Sequence, residues 1–170
     1  GIFMKSIFTT VITGPDNPEI LRSLASETRE SGGEWLIVKA IKLDGQFAAL
    51  ARVSIEQNLA ETLKRRLTEE FPSFNFSYHE TQEEKQPLVN TIVLEIDCLD
   101  RPGLTRDISD YMNSLDIRVE NMESTRHPIG TVASTVYSTR VTLSAPKEVD
   151  GRAIAEKIEA LPGDIQVNVI

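Results

Sequence analysis

The spacing of apolar residues in the C-terminal half of the chain changes from every second position to every third or fourth. Between Thr91 and Leu99 apolar and polar residues alternate, which predicts a strand with one buried face. From Leu104 to Leu115 the apolar residues instead form one helical stripe. The remaining predicted elements are strands over 117–126, 131–144 and 165–169, a hairpin loop over 127–130 and a helix over 149–161.

The N-terminal half has the same predicted order, β-α-β-β-α-β. Asp44-Gly45 is a strong signal for a two-residue hairpin between two of its strands. Gly32-Gly33 ends the first predicted helix. The predicted elements are strands over 5–13, 35–43, 46–55 and 74–78 and helices over 19–31 and 58–71.

A short aligned segment supports the internal repeat that the order of elements indicates. Residues 13–24 (TGPDNPEILRSL) align with residues 97–108 (DCLDRPGLTRDI) at a constant offset of 84 positions. In this alignment the Asp-x-Pro sequence at residues 16–18 corresponds to the Asp-x-Pro sequence at residues 100–102. We therefore predict an α+β fold of two ferredoxin-like modules, each a four-stranded antiparallel sheet with two helices on one face. The first module is expected over 4–79 and the second over 91–170, with the polar stretch 80–90 as a linker.

The composition argues against several classes of function. A formal net charge of -8 opposes direct binding to nucleic-acid phosphates, and the basic cluster 64–66 lies in a helical pattern that also carries glutamates. The sequence contains no run of about 18 apolar residues, the length that would predict a membrane span. The single cysteine, Cys98, cannot form an intrachain disulfide, which fits a reducing cytoplasm.

Residues that could carry catalysis or bind a metal are few. His79 and His127 do not form a spaced cluster of metal ligands. Asp97 and Asp100 lie close in sequence, but no nucleophile motif or phosphate-binding loop accompanies them. We therefore expect no catalytic residue, no metal and no cofactor.

The Asp-x-Pro sequence stands between the first strand and the first helix of both predicted modules. Asp16 and Asp100 could cap the free amides of the helix, and Pro18 and Pro102 suit its first turn. Gly103 would let the backbone come close to a bound group, and the helix amides could hold a carboxylate. Two interpretations stay open, a helix start alone or a ligand-binding loop.

The segment Asp100-Arg101-Pro102-Gly103-Leu104 resembles the loop of an ACT domain, a ligand-binding regulatory module. Two modules without an attached enzyme resemble the glycine cleavage system transcriptional repressor family, as does the stretch Glu34–Ile55. The resemblance runs from Lys5 to Ile170. It implies a ferredoxin-like fold, a small-metabolite ligand that is most often an amino acid, and action through a partner regulator protein without direct contact to nucleic acid.

The resemblance also implies where the ligand binds. In ACT domains the ligand usually lies between two modules, against the loop after the first strand and the start of the second strand. The corresponding positions of the second copy are Asp100, Arg101, Pro102, Gly103, Leu104, Arg118, Val119, Glu120 and Asn121. Those of the first copy are Asp16, Asn17, Pro18, Glu19 and Ile20, with Leu36 to Val38.

The two copies differ at these positions. Glu19 stands where the second copy has Gly103, and its carboxylate would repel an anionic ligand. The second copy also offers Arg118, Glu120 and Asn121, which could meet an amine and a carboxylate. We therefore expect the second loop to be the better site and the first to be degenerate or structural.

These observations predict a cytoplasmic, non-catalytic regulatory protein that senses an amino acid or a similar metabolite. The resemblance implies a role in transcriptional regulation of glycine metabolism, although no residue selects glycine. The alternative is a protein-interaction scaffold without a small-molecule ligand. A small enzyme on this fold would need a pocket of strongly perturbed titratable groups. The sequence leaves open the ligand, the partner and the number of chains, including a homodimer.

Overall fold

The computed structural model describes residues 4–81, 90–99, 101–128, 130 and 135–170 of the chain. It divides into two compact units, residues 1–83 and 84–170. Most of the predicted linker 80–90 lies outside the described residues, while Glu80 belongs to a strand of the first unit and Asn90 to a strand of the second. Each unit is described by itself below.

The first unit has the predicted order of elements. Its elements are β1 (Lys5–Pro15), α1 (Ile20–Glu30), β2 (Glu34–Leu43), β3 (Gln46–Glu56), a 3₁₀ turn (Gln57–Leu59), α2 (Ala60–Glu70) and β4 (Asn75–Glu80). The strands form one antiparallel sheet in the order β2-β3-β1-β4. The predicted hairpin at Asp44-Gly45 is confirmed, since both residues have positive φ angles of 49° and 76° as this turn requires.

The second unit repeats this arrangement. Its elements are β5 (Asn90–Leu99), α3 (Leu104–Asn113), β6 (Arg118–Pro128), β7 (Thr135–Ala145), α4 (Gly151–Glu159) and β8 (Ile165–Val169). The strand order is β6-β7-β5-β8, and all neighbouring strands are antiparallel. The predicted α+β class with two βαββαβ modules is therefore confirmed.

Each sheet buries one face under its two helices. In the first unit, alternate residues of β1 and β3 pack with both helices, through side chains such as Leu24 of α1 and Leu63 of α2. In the second unit, Leu94 and Ile96 of β5 pack with Ile158 of α4 in the same way. Because successive strand residues point to opposite faces, the intervening residues of these strands lie on the open face of each sheet.

One predicted boundary in the second unit was wrong. His127 and Pro128 were expected in a hairpin loop, but they continue β6, where His127 pairs with Val136 and Pro128 with Thr135. The residues 129 and 131–134, which were also assigned to this loop and to the next strand, lie outside the described residues. Cross-strand pairing therefore extends β6 through residues whose composition is typical of a loop.

None of the described helices is both long and apolar enough to cross a membrane.

Tyr78 of β4 gives the first unit a measurable dependence on alkaline pH. Its ring packs edge-on against Phe8, with the ring centroids 5.7 Å apart. Burial, aided by the negative charge of Glu61, raises the pKa of Tyr78 to about 12. Between pH 10 and about 12 the folded unit therefore keeps a proton that the unfolded chain loses, so the free energy of unfolding falls as the pH rises through this interval.

We expect Tyr78→Phe to flatten this fall, because phenylalanine cannot ionise in either state. Urea denaturation followed by the fluorescence of Trp35, the only tryptophan, reports on the first unit. Tyr111→Phe, in the second unit, is the matched control and should leave the Trp35 transition unchanged. An equal slope for Tyr78→Phe and the wild-type chain would contradict the assignment.

Candidate functional site

The loop between β5 and α3 is held in place by Arg101. The Arg101 Nε atom donates to the carbonyl oxygen of Pro162 at 2.8 Å, which ties the loop to the segment between α4 and β8. Its Nη2 atom donates to the Asp107 carboxylate at 2.7 Å, and its Nη1 atom donates to the Pro102 carbonyl oxygen at 3.1 Å. Arg101 thus connects the loop, the first turn of α3 and the segment between α4 and β8, and it acts mainly in positioning the loop.

Gly103 gives the loop its turn into the helix. It has a left-handed conformation with φ of 80° and ψ of 1°, which side chains other than Asn and Asp rarely adopt. Gly103 supplies no side-chain acceptor to the amides of the first helical turn. Those amides, together with the helix dipole, favour a negatively charged group at this end of α3.

Three arginines surround this helix start. Residues 101–106 and Arg126 line an open cleft of about 450 Å³. Arg126 lies on β6, and its guanidinium carbon is 4.9 Å from the centre of the Tyr137 ring, so the ring positions this cation beside the cleft. Arg106 adds a third positive side chain from α3. The site therefore combines guanidinium groups with helix amides, a set that binds carboxylates and other anions.

Tyr137 connects the cleft to the inner face of the sheet. Its hydroxyl lies 3.0 Å from the Ser124 hydroxyl, which in turn lies 2.6 Å from the Thr139 hydroxyl. Burial alone would raise the pKa of Tyr137, but hydrogen bonds from Ser124, Thr139 and Thr105 and the charge of Arg126 outweigh it, so the pKa is lowered. The network holds α3, β6 and β7 together at the base of the cleft.

The corresponding loop of the first unit is built differently. Asp16 does not act as the predicted helix cap: its carboxylate pairs with the Lys42 ammonium group at 2.9 Å. The Asn17 side chain instead accepts the amide hydrogen of Glu19 at 3.0 Å. Glu19 has a φ of -103°, unlike Gly103, and pairs with Arg22 at 3.1 Å.

These pairs satisfy the charges of the first loop within its own unit. Of the remaining predicted residues there, Pro18 is exposed and Ile20 belongs to the core. The expectation that the first loop is structural stays a prediction, and this geometry is consistent with it.

Within the second unit, the two groups of predicted ligand-binding residues do not come together. Arg118 is level with Ser144 of β7, which pairs with Thr91 at the start of β5, whereas the loop follows Leu99 at the end of β5. At a rise of about 3.3 Å per residue, these ends of the sheet are about 26 Å apart. Arg118, Val119, Glu120 and Asn121 thus belong to the other end of β6, where an Arg118–Glu120 pair spans 3.8 Å.

The first unit shows the same separation. Leu36, Ile37 and Val38 lie where β2 passes a bulge, opposite the middle of β3, and Lys42 is the β2 residue that reaches the loop.

Thr105, Arg106 and Arg126 line the cleft but were not predicted from the sequence. Thr105 and Arg106 directly follow Gly103 and Leu104. Extending the predicted site into the first turn of the helix would have included both residues. Arg126 could be found only from the register of β6, because its pairing with Tyr137 determines that it points toward the helices. Asp100, which opened the predicted site, lies outside the described residues.

Two other predicted residues have structural surroundings. Cys98 is buried in the core of the second unit, as expected for a packing residue. The Asp97 carboxylate lies on the open face of the sheet and accepts a hydrogen bond from Ser138 at 2.6 Å. This contact gives Asp97 a role in cross-strand pairing.

The family model of the ACT domain matches residues 6–75, which is nearly the whole first unit. The chain is also 31% identical over 84 residues to the ACT domain-containing protein ACR10 of Arabidopsis thaliana. That match covers 45% of this chain and 20% of the Arabidopsis protein, so this chain corresponds to about a fifth of its curated relative.

Two solved structures have the same fold over almost the whole chain. A Galdieria sulphuraria protein of unknown function superposes with a TM-score of 0.79 at 14% identity, and a candidate glycine cleavage system transcriptional repressor superposes with a TM-score of 0.76 at 12% identity. Each match covers 98% of this chain and 98% of the other. At these identities the likeness establishes the fold of both units and their order.

We expect Asp107→Asn to loosen the second loop, because it removes the charged partner that holds Arg101. Both side chains are about one quarter to one third exposed, so the loss in unfolding free energy should be about 1 kcal/mol. Urea denaturation of the full chain, followed by circular dichroism, measures it. Asp110→Asn, one turn further on the exposed side of α3, is the control and should change stability by less than about 0.5 kcal/mol. Equal effects of the two variants would contradict the positioning role of Arg101.

Proposed function

Because the chain is an ACT domain protein with two ACT-like modules, we propose that it is a non-catalytic regulatory protein that binds an amino acid at the second β–α loop. The single observation that carries this proposal is the cleft at the start of α3, where guanidinium groups and helix amides converge beside a left-handed glycine. An α-carboxylate has the size, charge and planar shape to accept hydrogen bonds from such donors.

The charges of the two β–α loops support a single ligand-binding site, at the second loop. Arg101, Arg106 and Arg126 line the cleft of the second loop. The first loop has Glu19 in place of the glycine, and its Asp16 is paired with Lys42. A carboxylate ligand would meet positive charge at the second loop and a carboxylate at the first.

We propose that the bound state is read by a protein partner in the cytoplasm. The formal net charge of -8 opposes direct binding to DNA, and the name of one structural relative, a candidate transcriptional repressor, points to control of gene expression. The ligand would favour one conformation of the loop and α3, and the partner would prefer that conformation. Glycine metabolism is suggested by that relative's name alone.

A protein-interaction scaffold without a small ligand is the second candidate. One observation favours it: the open face of the first sheet carries several exposed aliphatic side chains, among them Ile7, Ile37, Ile41 and Leu50. Apolar groups concentrated on one surface are typical of protein interfaces. The scaffold requires no ligand at the second loop, which separates the two candidates.

A thermal-shift screen of the common amino acids, followed by calorimetry on each hit, tests the proposal. A ligand that binds only the folded state stabilises it by about 2.7 kcal/mol at a concentration one hundred times its Kd, which raises the unfolding midpoint. We expect at least one amino acid to do so.

The site is tested with Gly103→Asp and Gly103→Asn, two side chains of equal size that both tolerate the left-handed conformation of this residue. Because only aspartate adds a negative charge, Gly103→Asp should abolish binding while Gly103→Asn weakens it far less. Equal affinities for the two variants would place the ligand elsewhere. A screen in which no amino acid shifts the midpoint would favour the scaffold.

A further inference from the structure

Aliphatic side chains form a group across three strands on the open face of the first sheet. Leu50 of β3 pairs with Val11 of β1, and Ile37 and Ile41 of β2 lie diagonally beside it, within reach of long side chains. Leu50, Ile37 and Ile41 are each between 46% and 61% exposed. Val11, Ile37, Ile41 and Leu50 are called the outer patch below.

The second sheet shows how the same positions are filled in the other unit. The offset of 84 positions that aligns the Asp-x-Pro sequences places Glu95 at the position of Val11. The strand partner of Glu95 is Arg140, at the position of Leu50, and Arg140 pairs in turn with Glu123 of β6. The Arg140 and Glu95 side chains form an ion pair at 3.8 Å. The fold therefore does not need carbon surface at these positions.

The edge strands differ in the same way. Ile37 and Ile41 of β2 correspond to Asn121 and Thr125 of β6, because each pair follows the β-bulge of its strand at the same distance. The aliphatic side chains of the outer patch add nothing to the core of the first unit, which lies on the other face of the sheet. Their apolar area leaves water only if another surface covers it.

The charges near the outer patch fit a covering surface that supplies hydrogen-bond acceptors. From Ile37 to Arg52, the outward-facing strand residues of β2 and β3 include no carboxylate. The Nε atom of Arg52 is buried, and none of the described residues accepts a hydrogen bond from it. A buried donor without an acceptor destabilises a structure. The hydroxyls of Thr9 and Ser54 lie on this same face, so a second copy of the face brings acceptors with it.

The size of the face is sufficient for a dimer. Four strands about 4.8 Å apart and about eight residues long, at about 3.3 Å per residue, give a footprint of roughly 500 Å². Two copies packed face to face would therefore bury roughly 1,000 Å², which is the lower end of the range for specific interfaces. Two sheets that pack in this way interdigitate the side chains of their facing surfaces.

The net charge of the chain also favours this face over the open face of the second sheet. Two copies that each carry a formal charge of -8 repel one another. The second sheet would bring Glu95, Asp97 and Glu123 of both copies together, whereas the outer patch brings aliphatic groups together. The repulsion is therefore smaller when the first sheets meet.

We propose that the chain forms a homodimer in which the open face of the first sheet packs on the same face of a second copy. A two-fold axis relates the copies, so that each residue of the outer patch contributes twice. The inference goes beyond the proposed function and does not depend on it, because no residue of the second loop takes part.

Sedimentation velocity of the full chain without added amino acid tests the proposal. We expect a reversible equilibrium between monomer and dimer over about 1 to 100 µM protein, as suits an interface of this size. A chain that stays monomeric throughout this range would overturn the proposal.

The double variant Val11→Glu/Leu50→Arg tests which face is used. It places on the first sheet the ion pair that the second sheet carries at the same positions, so the sheet should still fold. We expect the Kd of the dimer to rise at least about 100-fold, because four charged groups would have to be buried at the contact. Leu50→Thr is a milder variant that keeps a strand-forming residue and should raise the Kd about tenfold.

The matched control changes the corresponding positions of the second sheet. Glu95→Gln/Arg140→Gln also leaves the net charge unchanged and should leave the Kd of the dimer unchanged. A retained unfolding transition of Trp35 fluorescence shows that the first unit of each variant is folded. Should folded Val11→Glu/Leu50→Arg dimerise as tightly as the wild-type chain, or should the control weaken the dimer as much, the contact lies on another surface and the proposal is wrong.

The outcome is separate from that of the ligand screen. Gly103→Asp, which tests the loop site, should leave the Kd of the dimer unchanged. A dimer that forms through the outer patch in a chain that binds no amino acid would support this inference and contradict the proposed function.

Discussion

The candidate site depends on the alternation of side chains in the two central strands of the second sheet. Leu94 and Ile96 of β5 are completely buried, and their neighbours Glu95 and Asp97 lie on the open face. Because only one face is apolar, both helices must pack on it, and α3 starts at the edge of that same face. A shift of one residue in the register of β6 would turn Arg126 away from α3 and remove one side of the cleft.

A few residues give the two units different surroundings at the start of their first helix. In the first unit Trp35 packs against the core, and the loop charges form the pairs Asp16–Lys42 and Glu19–Arg22. In the second unit Val119 takes the place of Trp35 on the edge strand, and Gly103 leaves the helix start without a side chain. The residues of the two cores thus preserve the fold, while the residues that distinguish the two units in this region lie at the helix start and on the edge strand.

Much of the fold could be predicted from the chain because its signals are local. The alternation over 91–99, the Asp44-Gly45 turn and the helical stripe from Leu104 each specify an element through neighbouring residues. The site could be predicted only in part. Residues 101–104 carry a local motif, whereas the place of Arg126 depends on its pairing with Tyr137 across the hairpin. The extension of β6 through Pro128 was unpredictable for the same reason, since cross-strand hydrogen bonds outweighed the turn propensity of proline.

The same topology explains why the predicted start of β6 lies far from the loop. β5 and β6 both run antiparallel to β7, so they are parallel to each other, and the loop after β5 is level with the end of β6. A ligand in the cleft would therefore contact three elements of one unit: the loop at Arg101, α3 at Thr105 and the edge strand at Arg126. Of these, β6 is the end strand of its sheet. A change in their relative position would alter the surface of the unit without disturbing its core, which is the kind of change that a partner protein can detect.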